Sequence, residues 1–232
     1  MNERLQTVQT GFAGTGGLVE ERNRVLRNTY WLLALSLVPT VLGAWVGVST
    51  GIMSAMGTGM SLIVFLVGAF GLMFAIEKTK NSSTGVVMLL TFTFFMGLML
   101  ARLLAAVLGF RNGASLIMTA FGGTAVVFLA MASLASVIKR DLSGMGKFLF
   151  VGAILLLIVG IVNVFLQSGA LMMTLSVIAI ALFSAFMLYD VKRVIDGGET
   201  NYITATLAIY LDIYNVFQSL LALLGIFGGE RD

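Results

Sequence analysis

Between Arg27 and Glu77 the chain carries no charged side chain, and none again between Lys147 and Asp190. Soluble domains are about 25% charged, because a surface in water needs charge. Here only 11% of 232 residues are charged and 59% are hydrophobic. Each charge-free run has room for two helices of about 20 residues with a tight turn between them, and that length crosses a hydrocarbon core of about 30 Å. The surface of this protein therefore faces lipid.

Seven apolar stretches can be marked: Thr29–Val48, Ser54–Ile76, Gly85–Leu108, Ala114–Ile138, Phe148–Leu166, Ala170–Tyr189 and Tyr202–Phe227. Backbone polar groups in lipid must bond within the chain, which leaves helices or a closed barrel. Continuous apolar runs select helices, since barrel strands read as short alternating segments. The expected fold is all-α: a polytopic membrane protein of seven transmembrane helices, with the seventh central in the bundle. Residues 1–28 read as a flexible cytoplasmic tail with no signal peptide. Residues 29–228 read as the transmembrane domain and residues 229–232 as a short C-terminal tail. Gly152, Gly160 and the pair Gly122–Gly123 are candidates for close helix approach.

The basic residues give an orientation. Arg4, Arg22, Arg24, Arg27, Lys78, Lys80, Lys139, Arg140, Lys147, Lys192 and Arg193 fall on one side if every stretch crosses, against Arg111 and Arg231 on the other. The positive-inside rule then places the N-terminus in the cytoplasm. The net charge of +3 is thus a topology signal, and no nucleic-acid partner is expected. The partner that composition demands is the lipid bilayer.

The chain has no Cys and no His. That excludes disulfides, zinc sites built on thiolate or imidazole, and any Ser-His-Asp or Cys-His catalytic set. No Gly-rich phosphate loop ends in Gly-Lys-Ser/Thr. A membrane-embedded aspartyl protease would need a YD…GxGD-type arrangement, which is absent. No catalytic residue and no cofactor is expected, and the chain does not read as an enzyme.

An ionisable group at membrane depth costs at least about 2.5–3.5 kcal/mol on insertion scales and so marks a cavity or a partner. Asp212 is the foremost candidate, with no other charge between Glu199 and Glu230. At a period of 3.6 residues it shares a small, polar face with Asn201, Ala205, Ala208, Asn215, Ser219 and Ala222. Asp190 ends the sixth stretch, and a reversal at Gly197–Gly198 makes the last two helices neighbours. Two carboxyls sharing one site titrate as a unit and can share a proton or bind a cation, Ca2+ being suited to oxygen ligands. Arg102, inside the third stretch, either snorkels outward or pairs with an acid.

The strings RNTYWLLALSL, GLMFAIEKT, FGGTAVVF, KRDLSGMGKFL and above all IDGGETNYITATLAIYLDIYNVFQSLLALLG occur in this order along the chain. In sequence and order they resemble the bacterial Bax-inhibitor-one, or transmembrane Bax-inhibitor-motif, family. The resemblance implies seven spans and one of two activities. Some members are pH-sensitive calcium leaks, sensing pH through two aspartates at the positions matched by Asp190 and Asp212. In that pattern a basic residue ending the second span acts as a latch; Lys78 is the nearest match, Lys80 the next. Residues 54–76 hold no acidic residue, a departure from the leak pattern. The other branch, to which RNTY and GGETNYI look closest, modulates FtsH, the membrane-anchored AAA protease of membrane-protein quality control. The expected function is a pH-sensitive calcium or cation leak gated by the Asp pair, with protease modulation as the alternative.

Overall fold

The structure is a computed structural model; it describes the backbone of residues 2–230 and the side chains of residues 20–230. The helices are α1 (Asn2–Thr50), the single turn α2 (Ile52–Ala55), α3 (Thr58–Thr79), α4 (Ser83–Leu108), α5 (Gly113–Val137), α6 (Met145–Leu166), α7 (Gly169–Ile195) and α8 (Tyr202–Gly228). Among the described residues, 7 of these helices are long and apolar enough to cross a membrane. They correspond one to one with the seven apolar stretches, and the fold is all-α as expected.

Two boundaries differ from the sequence reading. The first helix does not begin at Thr29. Val25 is buried against Val194 and Ala205, so the chain is already packed on the bundle several residues earlier. The side chains of residues 1–19 of the expected tail lie outside the described residues, as do residues 231–232 of the C-terminal tail. The sixth span does not end at Tyr189. It continues to Ile195, held by an ion pair of 2.7 Å between Lys192 and Asp196 one turn apart. Basic side chains in a last helical turn also favour the negative end of the helix dipole.

The turns follow local chemistry. Between α6 and α7 the reversal takes two residues: Gln167 adopts a left-handed conformation at φ 51, and Ser168 caps α7 by accepting from the Leu171 amide. Gly197, at φ 80, opens the reversal before α8, a conformation that a side chain disfavours. Asn201 then caps α8, its carbonyl oxygen accepting from the amides of Ile203 and Thr204. The same side chain donates to the Lys80 carbonyl at 2.9 Å, clasping the start of α8 to the α3–α4 loop. At the other end Asn112 donates to the Gly228 carbonyl at 2.6 Å and accepts from the Glu230 amide at 3.1 Å. The helix thus starts beside one end of α4 and finishes beside the other, so it runs the full length of the bundle.

Helix α8 packs against α1, α4, α5 and α7 and touches α3. Helix α6 packs on α7 and leaves about half of its side chains, Phe148, Leu155 and Phe165 among them, exposed to lipid. The closest helix contact is that of α1 with α4. A methyl group at Gly43 would fall on the Phe94 carbonyl, one at Gly97 on the Thr40 carbonyl, and one at Gly47 on the Ala101 side chain. The glycines singled out from sequence do less. Gly122 and Gly160 face open space, while Gly152 meets only the end of Leu182. They lie on helices with long lipid-facing sides, where no neighbouring backbone approaches.

Gly97→Ala should therefore destabilise the bundle by about 1–3 kcal/mol, the usual cost of overpacking. Gly160→Ala should leave stability unchanged or slightly raised. Thermal unfolding of the two variants in detergent measures both, and equal midpoints would contradict the packing described.

Candidate functional site

Asp212 lies ten residues into α8, between buried Ile209 and buried Val216, and is itself only 4% exposed. Asp190 is half-buried in α7, with fully buried Met187 and Val191 beside it. The two carboxyl groups lie within hydrogen-bonding reach of one another. The structure thus brings together the two aspartates that sequence reading paired. Two carboxyl oxygens can bond in this way only if one of them carries a proton, because an ionised carboxylate is purely an acceptor. Oδ2 of Asp212 is buried with no hydrogen-bond partner in the protein.

Charge near the pair is sparse. The charged neighbours of Asp190 are Arg193 and Glu199, which pair with each other at 3.4 Å. Arg193 also donates from Nε to the Gly198 carbonyl, so this pair staples the loop between α7 and α8. The α5–α6 loop lies along the same end of α7. Its Leu142 is buried, and Gly146 packs on the ring and hydroxyl of Tyr189, the residue before Asp190. Outside the membrane, Asp141 shapes that loop. It accepts from the amide and the hydroxyl of Ser143, and these bonds hold its carboxyl below the usual carboxylate range.

The other residues singled out lie elsewhere. Asn215 and Ser219 follow Asp212 along α8, half-buried, and Asn215 donates to the Leu211 carbonyl of its own helix. Lys78 is exposed and lies over the Phe74 ring, 5.4 Å from its centre, while Lys80 pairs with Glu77 one turn back. Neither lysine is bonded to the aspartates. Arg102 is exposed, and its guanidinium reaches Thr58 Oγ1 at 3.5 Å, a residue at the start of α3. It takes the outward course and has no acidic partner among the described residues. Among the described residues, no cluster of three or more His, Cys, Asp or Glu side chains is present. Ca2+ takes six to eight oxygen ligands, so two carboxyls alone do not make a resident calcium site.

Sequence reading missed a second polar seam on α8. Thr206, Tyr210 and Tyr214 recur every fourth residue on a side of the helix away from Asp212. Thr206 donates to the Thr29 carbonyl of α1, Tyr210 shares a 2.8 Å hydrogen bond with Thr40, and Tyr214 donates to the Met96 carbonyl of α4 at 3.2 Å. Tyr210 is only 1% exposed, in the core of the bundle. The signal available was the tyrosines' i, i+4 spacing beside a threonine at the same interval.

Comparison with known proteins adds to the geometry. Residues 22–229 match the family model described as "Inhibitor of apoptosis-promoting Bax1". A protein of Escherichia coli K12 named "Modulator of FtsH protease YccA" is 39% identical over 203 residues, covering 88% of this chain and 90% of the relative. An uncharacterised membrane protein of Vibrio cholerae is also 39% identical, over 89% of this chain and 91% of its own. An uncharacterised Pseudomonas aeruginosa protein is 38% identical over 90% and 92%. With seven apolar helices in the expected order and the family match running from the start of the packed body to its end, this chain belongs to the Bax-inhibitor family of membrane proteins.

Proposed function

We propose that this protein resides in the bacterial inner membrane with its N-terminus in the cytoplasm, and that it binds and restrains a membrane-anchored AAA protease of the FtsH kind. The observation that carries this reading is the 39% identity, across nearly nine-tenths of the chain, to a relative named as a modulator of that protease. The excess of Lys and Arg on the N-terminal side supports the orientation. In proteoliposomes holding the protease and a membrane substrate, adding this protein should lengthen the substrate half-life. Deleting residues 2–20 should remove most of that effect. An unchanged half-life with the full chain would reject the reading.

A second reading rests on a different observation, the contact between Asp190 and Asp212. It is a cation leak closed by a shared proton. While the proton is held, the two carboxyls bond and α7 stays on α8. When the pH rises the proton leaves, two negative charges repel in a poorly polarisable setting, and the helices part. The exposed oxygens then suit a hard cation such as Ca2+ in transit. Calcium flux into liposomes should rise between about pH 6 and 8, by up to about tenfold per pH unit for a gate set by one proton. Asp212→Asn should stay shut at both ends of that range, because its amide still donates to Asp190 whatever the pH. A pH profile that survives in the Asp190→Asn, Asp212→Asn double variant would exclude a carboxyl gate.

A further inference from the structure

The outward face of α1 carries a feature that neither proposed activity uses. Arg24, Arg27 and Trp31 fall at i, i+3 and i+7, one side of a helix. All three are exposed, Trp31 at 73%. The same side continues through Leu35, Val38 and Leu42 to Trp45, every one of them exposed, while Val25 and Thr29 on the opposite side are buried. This is a lipid-facing stripe, and it ends in two arginines.

Depth follows from helix geometry. Tryptophan favours the level where hydrocarbon meets headgroups. At 1.5 Å per residue, Arg27 stands about 6 Å and Arg24 about 10 Å further out than Trp31. The headgroup zone of one leaflet is about 5–7 Å thick, so Arg27 stands among the headgroups and Arg24 just outside them, from where its long side chain can bend back to a phosphate. Among the described residues, neither has a hydrogen-bond or ion-pair partner in the protein. Three other cations at this end of the bundle are matched by acids: Lys80 by Glu77, Lys192 by Asp196 and Arg193 by Glu199. Glu20, on the same face, stands a further turn out, beyond the phosphate level.

We propose that this Arg24–Arg27–Trp31 face is a seat for the headgroup of an anionic glycerophospholipid. A guanidinium presents a planar fork that matches two phosphate oxygens. A zwitterionic headgroup brings its own cation to the site, whereas phosphatidylglycerol leaves the two arginines to be neutralised. The bound lipid lies along Leu35 and Val38 and holds α1 at a fixed depth.

The chain has two tryptophans, so Trp45→Phe leaves Trp31 as the only indole and as a reporter inside the seat. This variant is placed in phosphatidylcholine bilayers, and Trp31 fluorescence is quenched with brominated phosphatidylglycerol or brominated phosphatidylcholine. The relative binding constant should favour phosphatidylglycerol about fivefold, the effect of one basic side chain near an anionic surface. Adding Arg24→Gln and Arg27→Gln should bring it to about 1, while Arg24→Lys with Arg27→Lys should keep most of the preference because the charge remains. Equal quenching by both lipids in the parent would overturn the proposal and leave the face to an acidic protein partner. A preference that persists in the Gln variant would overturn it too.

Discussion

A carboxyl group within a lipid-facing bundle must be given a partner by the protein, because the solvent around it offers none. Asp212 sets that demand, and the C-terminal third of the chain is arranged to meet it. Gly197 reverses the chain, Asn201 caps α8 and clasps it to the α3–α4 loop, and the Arg193–Glu199 pair staples the connection. Together these fix where α8 lies against α7, and the position brings Asp212 to Asp190. With the loop looser, the two carboxyls would not share a hydrogen bond, and Asp212 would lose its only partner among the described side chains.

The same reasoning explains which helices lie inside. Helix α8 is polar on two sides, with Asp212, Asn215 and Ser219 on one and Thr206, Tyr210 and Tyr214 on the other, so neither side can face hydrocarbon. It is accordingly enclosed by α1, α4, α5 and α7. Between Lys147 in its first turn and Asn163 in its last, helix α6 carries only apolar residues and glycine, and the Asn163 side chain accepts from the Ser168 amide at the turn. Nothing draws α6 inward, and it lies at the periphery, packed mainly on α7. Between these extremes stands the α1–α4 contact, where glycine rather than polarity does the holding. Without a Cβ at Gly43 and Gly97 the backbones close to direct contact, and dispersion takes over the role that water would otherwise give to the hydrophobic effect.

The sequence made the spans legible because lipid is an unforgiving solvent: every apolar run of the right length had to become a helix. It made the Asp190–Asp212 pairing legible because a lone acid in such a run needs a companion and the short loop offered one nearby. It was silent on which glycines lie at contacts, since Gly160 and Gly97 look alike until the neighbouring helix is known. The matches for a basic latch failed to meet the aspartates for a similar reason. Lys78 and Lys80 end their helix in the right order, but Phe74 and Glu77, one turn back, engage them first. The tyrosine seam is not legible in the sequence, since only packing against α1 and α4 brings the Tyr210 hydroxyl to Thr40 and the Tyr214 hydroxyl to the Met96 carbonyl.

The N-terminal end of α1 and the aspartate pair are not independent parts of the molecule. Val25 packs on Val194 and Ala205, and the Arg22 side chain lies against Gly197. One of these contacts is in the last turn of α7, one in the reversal and one in the first turn of α8. A partner that pulls on the segment before Glu20 therefore loads the connection that holds Asp190 to Asp212. Conversely, a parting of α7 from α8 would move the surface on which α1 rests. Because Val25 lies in one buried cluster with Val194 and Ala205, a parting of α7 from α8 would break that cluster. The two proposed activities would then bear on one set of contacts rather than on two separate sites.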